Sequence, residues 1–321
     1  MTKAKIVSLM LTFIISFGSL YGCQKNTDTD RTPDDIQNNE ENENNENIDK
    51  DISQNQQTGS ETVDIPDIPD DEPIQENEFA DETLEQFFEN SAFVGDSVMY
   101  GMELYANRNN TVESSATFLT LTSFAARHGL SDVTEKSYHP LYNGEKMKVE
   151  DALALDGANK VFIFLGLNDV RITPSTYYEN YVDFIGKIKE KCPDIKIFII
   201  STTYPVASPH SMDMQTAASY RDQLLDLNTR LREYCESGNG YYVDIIGKLQ
   251  NENGFLDDKY SSDNYVHLTN SAYGIWAETL ETYATSLIET GLPPSESDES
   301  QENDSENEEE INNTEDENAD Q

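Results

Sequence analysis

The chain has 321 residues, of which 62 are acidic and 21 are basic, so its formal net charge is −41. Such an excess of acid argues against a nucleic-acid binding protein, which needs a basic face to neutralise phosphate. It also disfavours electrostatic attraction to anionic membrane surfaces. With three cysteines in the whole chain, a small disulfide-stabilised domain is excluded as well.

The acidic excess is concentrated in two segments of the chain. Residues 24–80 hold 18 acids and 3 bases, and residues 293–321 hold 13 acids and no base. Both segments are almost without aromatic and aliphatic side chains, which is typical of chain that cannot bury enough apolar surface to become ordered. The composition therefore predicts a disordered acidic stalk over residues 23–80, a folded domain over residues 81–292, and a disordered acidic tail over residues 293–321.

The N-terminal segment has the features of a secretory signal. Two lysines precede an apolar run over residues 6–20, which is too short for a comfortable membrane span. The tetrapeptide Leu-Tyr-Gly-Cys that ends at Cys23 resembles a bacterial lipoprotein processing site. The resemblance implies removal of residues 1–22 and lipidation of Cys23, so that acyl chains hold the protein on the extracellular face of the cytoplasmic membrane. Cleavage nearby with plain secretion is the alternative.

Short apolar runs alternate with helical patterns through the domain. The runs are continuously apolar, which predicts strands covered on both faces, as in parallel sheets. The repeated order of strand and helix predicts a doubly wound α/β fold, a three-layer α/β/α sandwich with a mostly parallel five-stranded sheet. The predicted strands lie at 92–95, 117–119, 161–165, 195–200 and 241–246, and the main predicted helices at about 175–191, 214–236 and 270–289.

Functional residues are expected just after the strands, because ligands of such sheets bind beyond the carboxyl ends of the strands. The tripeptide Gly95-Asp96-Ser97 follows the first strand. Glycine permits a tight turn there, and the hydroxyl of Ser97 then lies at the start of a helix, where backbone N–H groups favour developing negative charge. Taken alone, the tripeptide is equally consistent with a helix cap.

A second polar motif, Gly166-Leu167-Asn168-Asp169, follows the third strand. The carboxamide of Asn168 can donate a hydrogen bond without carrying charge, which suits a developing oxyanion. An Asn-Asp turn that ends the strand is the alternative interpretation.

Histidine is the third functional candidate. An acid lies a few residues before His267, and such a pair can act as a general base and the group that orients it. A surface histidine near an acid is the alternative. The other histidines, His128, His139 and His210, lack a spacing suited to a metal, so neither a metal site nor a cofactor is expected. For His139 we expect a structural role in a loop, with contact to the cleft as the alternative.

Together these motifs resemble the SGNH (GDSL-type) hydrolase family, over essentially all of residues 88–290. The resemblance implies a flavodoxin-like fold in which Ser97 is the nucleophile, Asn168 donates to the oxyanion, and His267 is the base of a triad completed by an Asp. More narrowly, the sequences Phe-Val-Gly-Asp-Ser-Val around Ser97 and His-Pro-Leu-Tyr-Asn-Gly-Glu-Lys from His139 resemble a clostridial and Gram-positive subgroup of surface proteins.

The sequence departs from the family pattern at two positions. The family usually has its acid three residues before the histidine, where this chain has Asn264, and Asp263 lies four residues before. We expect Asp263 to orient His267, with Asn264 as a neutral alternative. The family also usually has a glycine after the second strand, whose N–H contributes to the oxyanion hole. No glycine occurs there, and the backbone of Ser123 is the predicted equivalent.

The function implied is that of a serine acyl esterase. A site on an acidic stalk at the cell surface suggests O-acyl groups, such as acetyl, on extracellular or cell-wall carbohydrate. Two alternatives stay open at this point: a lipase or lysophospholipase placed near lipid by Cys23, and a non-catalytic glycan-binding surface protein with a degenerate hydrolase fold. The two cysteines of the domain, Cys192 and Cys235, are expected to be free and buried, although a disulfide between them is an alternative.

Overall fold

The computed structural model describes residues 77–169, 174–207 and 213–295. The predicted signal peptide, Cys23 and almost all of the predicted stalk and tail lie outside the described residues. Phe79, which composition assigns to the stalk, is 3% exposed and packs against Phe87 and Tyr241. Asn77 also donates a hydrogen bond to the carbonyl of Ile288. The folded domain therefore includes residues 77–80, because an aromatic side chain at the end of the acidic segment reaches the core.

The strands of the domain form one large sheet and one small hairpin. They are β1 (Ser91–Gly95), β2 (Thr117–Thr120), β3 (Leu141–Tyr142), β4 (Glu145–Lys146), β5 (Lys160–Phe164), β6 (Lys196–Ile200) and β7 (Tyr241–Val243). β3 and β4 form the antiparallel hairpin, and the other strands form a parallel sheet in the order β2-β1-β5-β6-β7. The predicted five-stranded parallel sheet is confirmed, although β7 ends three residues earlier than expected.

Helices cover both faces of the sheet, as the three-layer prediction requires. They are α1 (Leu84–Glu89), α2 (Ser97–Asn109), α3 (Ala126–Gly129), α4 (Val149–Asp156), α5 (Pro174–Lys191), α6 (Met214–Tyr234), α7 (Ile246–Leu249) and α8 (Asn270–Thr290). α1, α2 and α8 pack on one face, and α3, α4 and α5 on the other. Successive side chains of a strand point to opposite faces, so each strand supplies both layers of the core.

Aromatic rings run across the sheet on the face that α1 and α8 cover. Phe93 stacks on Phe118 and on Phe162, with ring centroids 5.0 and 4.7 Å apart. Phe162 stacks on Phe198 at 4.5 Å, and Phe198 on Tyr241 at 4.7 Å. These five residues are partners in the strand register. A one-residue slip of any strand would move its ring to the opposite face, so the rings help to set the register.

The strand order locates the ligand-binding edge of the sheet. The chain runs from β1 outward to β2 and then crosses to β5 on the other side of β1. The crevice between the carboxyl ends of β1 and β5 is therefore the switch point at which flavodoxin-like sheets bind their ligands. Ser97 follows β1 and Asn168 follows β5, so both begin their loops at this crevice.

The two cysteines of the domain can be compared with the expectation that both are free and buried. Cys192 and Cys235 are both free thiols. Cys235 is buried as expected, whereas Cys192 is partly exposed because it lies directly after the C-terminal end of α5.

Across the described ranges, no helix combines the length and apolarity needed to cross a membrane.

Candidate active site

The turn from β1 into α2 presents Ser97 at the start of a helix. Gly95 has no room for a side chain, because a Cβ there would lie 2.4 Å from the Cβ of Met99 and 2.8 Å from the carbonyl oxygen of Phe164. Asp96 is the N-cap of α2 and accepts a hydrogen bond from the N–H of Val98 at 2.9 Å. Ser97 is thus the first residue of α2, where backbone N–H groups have no acceptor within the helix.

A closed loop presents His267 to Ser97. An antiparallel bridge joins Ser261 to Leu268, and the N–H of Ser262 donates to the carbonyl of His267 at 2.8 Å. Within this loop, Nε2 of His267 lies 3.0 Å from Oγ of Ser97, across 170 residues of sequence. This is the distance over which a hydroxyl can pass its proton to an imidazole.

Asp263 holds the other nitrogen of the imidazole. Its Oδ2 lies 2.6 Å from Nδ1 of His267, and its Oδ1 accepts from the backbone N–H groups of Tyr265, Val266 and His267 at 2.9, 3.1 and 3.2 Å. Partial burial alone would raise the pKa of Asp263, but the hydrogen bonds from His267 and the backbone outweigh it and lower the pKa. The carboxylate is therefore stabilised in its ionised form, which favours a proton on Nδ1.

Asn264 explains how an acid four residues before the histidine reaches it. Asn264 is exposed and has a φ of +57°, the left-handed region that asparagine tolerates better than most residues. The extra residue is thus taken up in a tight turn between Asp263 and His267. Of the two candidates, Asp263 makes the hydrogen bond to the imidazole.

Asn168 lies in the same cleft as Ser97, but its amide is already engaged. Its Nδ2 donates to Oδ2 of Asp96 at 2.9 Å and to the carbonyl of Phe124 at 3.1 Å. Both acceptors belong to the walls of the cleft that carry Ser97 and Ser123. A third acceptor at this nitrogen would have to share one of its two hydrogens.

Ser123 lines the cleft in an unusual backbone conformation. Its φ is +62°, the left-handed region that glycine adopts most easily. Ser123, the predicted equivalent of the family's glycine, thus has a glycine-like backbone conformation although the residue is serine. This geometry makes the backbone of Ser123, rather than its hydroxyl, the feature to compare with the missing glycine.

Two buried aspartates and one arginine surround Asn168. Asp96 is 0% exposed, and burial is the main reason that its pKa is raised to about 7. Burial likewise raises the pKa of Asp169 to about 6, although Arg127 opposes the shift from 2.7 Å. Nη1 of Arg127 also donates to the carbonyl of Asn168 at 2.8 Å. Arg127 thereby connects α3 to the loop after β5.

The cleft itself has a volume of about 940 Å³. Two stacked ring pairs line it: His128 with Tyr138, and Tyr220 with Tyr265. The first pair follows β2 and the second belongs to α6 and the His267 loop, so the pairs border the Ser97 crevice from different elements. The other lining residues are mostly small or polar: Thr122, Gln215, Thr216, Ser219, Gln223, Leu167 and Val266.

His139 is separate from this arrangement. It is 1% exposed, and its Nδ1 pairs with Oγ of Ser137 at 2.9 Å. It is absent from the lining of the cleft, in agreement with the structural role expected for it. His210 lies outside the described residues. Within the described ranges, no three His, Cys, Asp or Glu side chains form a cluster that could hold a metal ion.

Comparison with known proteins identifies the class of this molecule. The model of the GDSL-like Lipase/Acylhydrolase family matches residues 93–275, which is more than half of the chain and includes Ser97, Asn168 and His267. The chain belongs to this family. It is accordingly a hydrolytic esterase, an enzyme of carboxylic esters.

Solved structures with a similar fold are distant in sequence. A protein assigned as an acylhydrolase from Bacteroides fragilis is 16% identical, covers 62% of this chain and 87% of its own, and has a TM-score of 0.46. A GDSL-like lipase from Bacteroides thetaiotaomicron is 18% identical, covers 64% of this chain and 90% of its own, and has a TM-score of 0.45. Among curated proteins, none matches the sequence.

Three contributors to the site were not predicted from the sequence. Asp96 was visible in the Gly-Asp-Ser motif, but only as a helix cap. Arg127 and the ring pair Tyr220 and Tyr265 carry no local signal, because their contacts join segments that are distant along the chain. The sequence signal closest to these residues is the pair of polar motifs after β1 and β5, which indicates where the site lies but not which other side chains contact it.

Proposed function

We propose that the protein is a serine acyl esterase with Ser97 as nucleophile, His267 as general base and Asp263 as the group that orients the imidazole. The observation that carries the proposal is the pair of contacts at His267, 3.0 Å from Ser97 Oγ and 2.6 Å from Asp263 Oδ2. A hydroxyl, an imidazole and a carboxylate in series are the arrangement that activates serine for acyl transfer.

The proposed reaction has two stages. His267 takes the proton of Ser97 while Oγ attacks the ester carbonyl, and the resulting imidazolium returns that proton to the leaving alcohol as the C–O bond breaks. Water then attacks the acyl-enzyme and gives its proton to His267, which passes it back to Ser97 as the carboxylic acid departs. Asp263 stabilises the imidazolium in both stages.

The proposed oxyanion hole consists of the N–H groups of Ser97 and Ser123 and the amide of Asn168. The start of α2 and the left-handed backbone of Ser123 support the first two donors. Asn168 would donate through a hydrogen that it shares with Asp96 or the carbonyl of Phe124. We expect Asn168→Ala to lower kcat by about 10²–10³-fold if this donor acts fully.

The cleft favours a small acyl group on a polar alcohol, and we assign O-acetylated carbohydrate as the substrate class. Among the described residues, only Leu167 and Val266 contribute aliphatic side chains to the lining, which offers little surface to a long acyl chain. Hydroxyl and amide side chains can bind sugar hydroxyls, and tyrosine rings offer flat amphipathic surfaces to sugar rings. The same lining disfavours the lipase alternative.

The decisive experiment measures Ser97-dependent ester hydrolysis by the purified protein. We expect release of p-nitrophenol from p-nitrophenyl acetate, and Ser97→Ala should lower kcat by about four orders of magnitude or more. Equal release by both proteins would contradict the esterase assignment and favour a non-catalytic binding protein. Acetate release from O-acetylated polysaccharide, compared with hydrolysis of p-nitrophenyl palmitate, then separates the carbohydrate esterase from a lipase.

We also propose that the enzyme is a surface lipoprotein anchored through Cys23 and separated from the membrane by its acidic stalk. The basic start, the short apolar run and the Leu-Tyr-Gly-Cys tetrapeptide support this location. Metabolic labelling with a fatty acid tests it: Cys23→Ala should lose the label and be released into the medium, whereas Cys192→Ala should keep it. Retention of the label by Cys23→Ala would exclude this anchor.

A further inference from the structure

Asp96 is a buried carboxylate beside the nucleophile for which the proposed reaction has no use. It is 0% exposed, and both of its oxygens accept hydrogen bonds at 2.9 Å. Oδ1 accepts from the N–H of Val98 in the first turn of α2, and Oδ2 accepts from Nδ2 of Asn168. One rigid group thus connects the helix start that carries Ser97 with the loop that carries Asn168.

The surroundings of Asn168 define which way its amide faces. The oxygen and nitrogen of a carboxamide have nearly the same shape, so neighbouring groups decide between its two orientations. Of its two neighbours, the carbonyl of Phe124 can only accept a hydrogen bond, and Oδ2 of Asp96 is the acceptor in the other contact. The amide nitrogen therefore faces both acceptors.

The remaining contact of Asn168 holds its backbone and leaves the amide free to rotate. Nη1 of Arg127 donates to the carbonyl of Asn168 at 2.8 Å and to Oδ1 of Asp169 at 2.7 Å. Arg127 therefore secures the loop after β5, and within the described part of the chain the side chain of Asn168 is held by Asp96 and the Phe124 carbonyl alone.

We infer that Asp96 is a positioning residue, which holds the Asn168 amide nitrogen toward the oxyanion position and fixes its distance from the Ser97 N–H. The inference rests on the proposed function, because it assigns Asn168 and Ser97 the roles of oxyanion donors. Asp96 touches neither the substrate nor the reacting atoms in this scheme. Its effect on catalysis passes through Asn168.

Asp96→Asn is the informative substitution because it keeps the shape and the cap. Asparagine is as good an N-cap residue as aspartate and retains an oxygen for the N–H of Val98. Its NH₂ group then faces Nδ2 of Asn168, and two donors cannot pair, so the Asn168 amide must rotate or shift. We expect kcat on p-nitrophenyl acetate to fall by about 10–100-fold, below the loss of a complete oxyanion donor, with a change in KM under about threefold.

A double-mutant cycle separates this role from a purely structural one. In the background of Asn168→Ala, Asp96→Asn should lower kcat by less than about threefold, because the group through which it acts is gone. Asp257→Asn, an equivalent change at the N-cap of the short helix Asp258–Tyr260, is the matched control and should leave kcat unchanged.

Two results would overturn the inference: an unchanged or higher kcat in Asp96→Asn, or the same fold-loss with and without Asn168. If Asp96→Asn does not fold, Asp96→Ser takes its place in the cycle, because serine also caps helices and lacks the carboxylate. Comparing hydrolysis by the wild type and by Ser97→Ala tests the proposed function separately from the role of Asp96. Hydrolysis that does not depend on Ser97 would contradict the proposed function, whereas Ser97-dependent hydrolysis with an additive cycle would contradict only the role of Asp96.

Discussion

Two carboxylates flank the nucleophile, and their environments differ in almost every respect. Asp263 lies in a surface loop with 36% of its side chain exposed, and its hydrogen bonds from His267 and the backbone lower its pKa. Asp96 lies directly after β1 as the N-cap of α2, has no exposed surface, and its pKa is raised to about 7 by burial. The same residue type therefore has two environments: hydrogen bonds favour the ionised form of Asp263, whereas burial favours the protonated form of Asp96.

The difference between the two aspartates also indicates different roles, an electrostatic role for Asp263 and a positioning role for Asp96. Asp263 faces a group whose charge changes during the proposed reaction, so its own negative charge is useful at the transition state. Asp96 faces an amide that stays neutral, so it acts through geometry. The titratable groups that act on Asp96 are His267, which lowers its pKa, and Asp169, which raises it. The pKa of Tyr273 is raised by burial and, to a smaller degree, by Asp96.

The largest expected effect is that of Asp263→Asn. The substitution retains an oxygen for the backbone N–H groups but places an NH₂ group against Nδ1 of His267, which selects the wrong tautomer of the imidazole. We expect kcat to fall by about 10⁴-fold with the fold intact. Steady-state kinetics on p-nitrophenyl acetate and a circular dichroism spectrum provide the measurement.

Asn264 supplies the control for this substitution. Adding Asn264→Asp to Asp263→Asn should not restore activity, because residue 264 is exposed in the turn and makes no described hydrogen bond to His267. Restored hydrolysis in the double variant would show that the two positions are interchangeable, and the comparison of the two carboxylates would lose its basis.

The second prediction concerns stability against pH, where the two aspartates should behave in opposite ways. The folded state holds the proton of Asp96 from its usual pKa of 3.8 up to about 7, so stability falls as the pH rises through that window. Asp96→Asn lacks this titration, so its free energy of unfolding relative to wild type should rise by up to about 4 kcal/mol as the pH increases from about 4 to about 7. This rise adds to the pH-independent cost of placing two amide donors against each other.

For Asp263 the sign is reversed. Because folding lowers its pKa, Asp263 contributes stability above the usual value of 3.8, and this contribution is lost as the pH falls through the lowered pKa. Asp263→Asn should therefore be less stable than wild type at neutral pH, with the difference shrinking in acid. Urea unfolding of both variants at several pH values checks the two slopes, and slopes of the same sign would refute the comparison.

A smaller effect is expected at Asn264, whose left-handed backbone lets Asp263 reach the imidazole. Asn264→Ala should cost about 1 kcal/mol of stability, since alanine tolerates a φ of +57° poorly. Asn264→Gly should cost little or none, because glycine adopts this conformation freely. Thermal unfolding of the pair distinguishes a backbone effect from a loss of side-chain contacts, which would destabilise both variants.

The smallest effect is expected at Ser123. Ser123→Gly relieves a φ of +62° and should raise stability by roughly 0.5–1 kcal/mol, while kcat stays within about threefold of wild type if the backbone N–H is the donor. A large loss of kcat would instead assign a role to the Ser123 hydroxyl. Kinetics and thermal unfolding of this single variant are sufficient.

Much of the fold could be predicted because its signal is local. Five continuous apolar runs correspond to β1, β2, β5, β6 and β7, and the three long helical patterns correspond to α5, α6 and α8 within two residues. The predicted end of β7 was less accurate, because the buried apolar residues Ile245 and Ile246 form a turn and the start of the short helix α7 rather than a strand. Apolar patterns report burial, and a buried turn resembles a buried strand.

For the candidate site, the sequence indicated some of its residues but not the contacts between them. Ser97, Asn168 and His267 stand out because each follows or precedes a regular element at a position where ligands bind in doubly wound sheets. The choice between Asp263 and Asn264 needed the backbone of the turn, since a one-residue difference in spacing is decided by the φ of Asn264. The sequence spacing gives no indication of the two hydrogen bonds of the Asn168 amide or of the hydrogen bonds by which Arg127 holds the loop after β5.

The sequence by itself determined the order of strands and helices, the separation of acidic segments from a domain, and the three motifs that identify the family. The element order and the division into segments follow from composition and periodicity, which act between neighbours in the chain, whereas the motifs indicate the family through resemblance. Only the tertiary structure decided which acid meets His267, that Asp96 faces Asn168, and which ring pairs border the cleft. Those contacts join residues up to 170 positions apart, and their geometry depends on strand order and register, which local patterns do not encode.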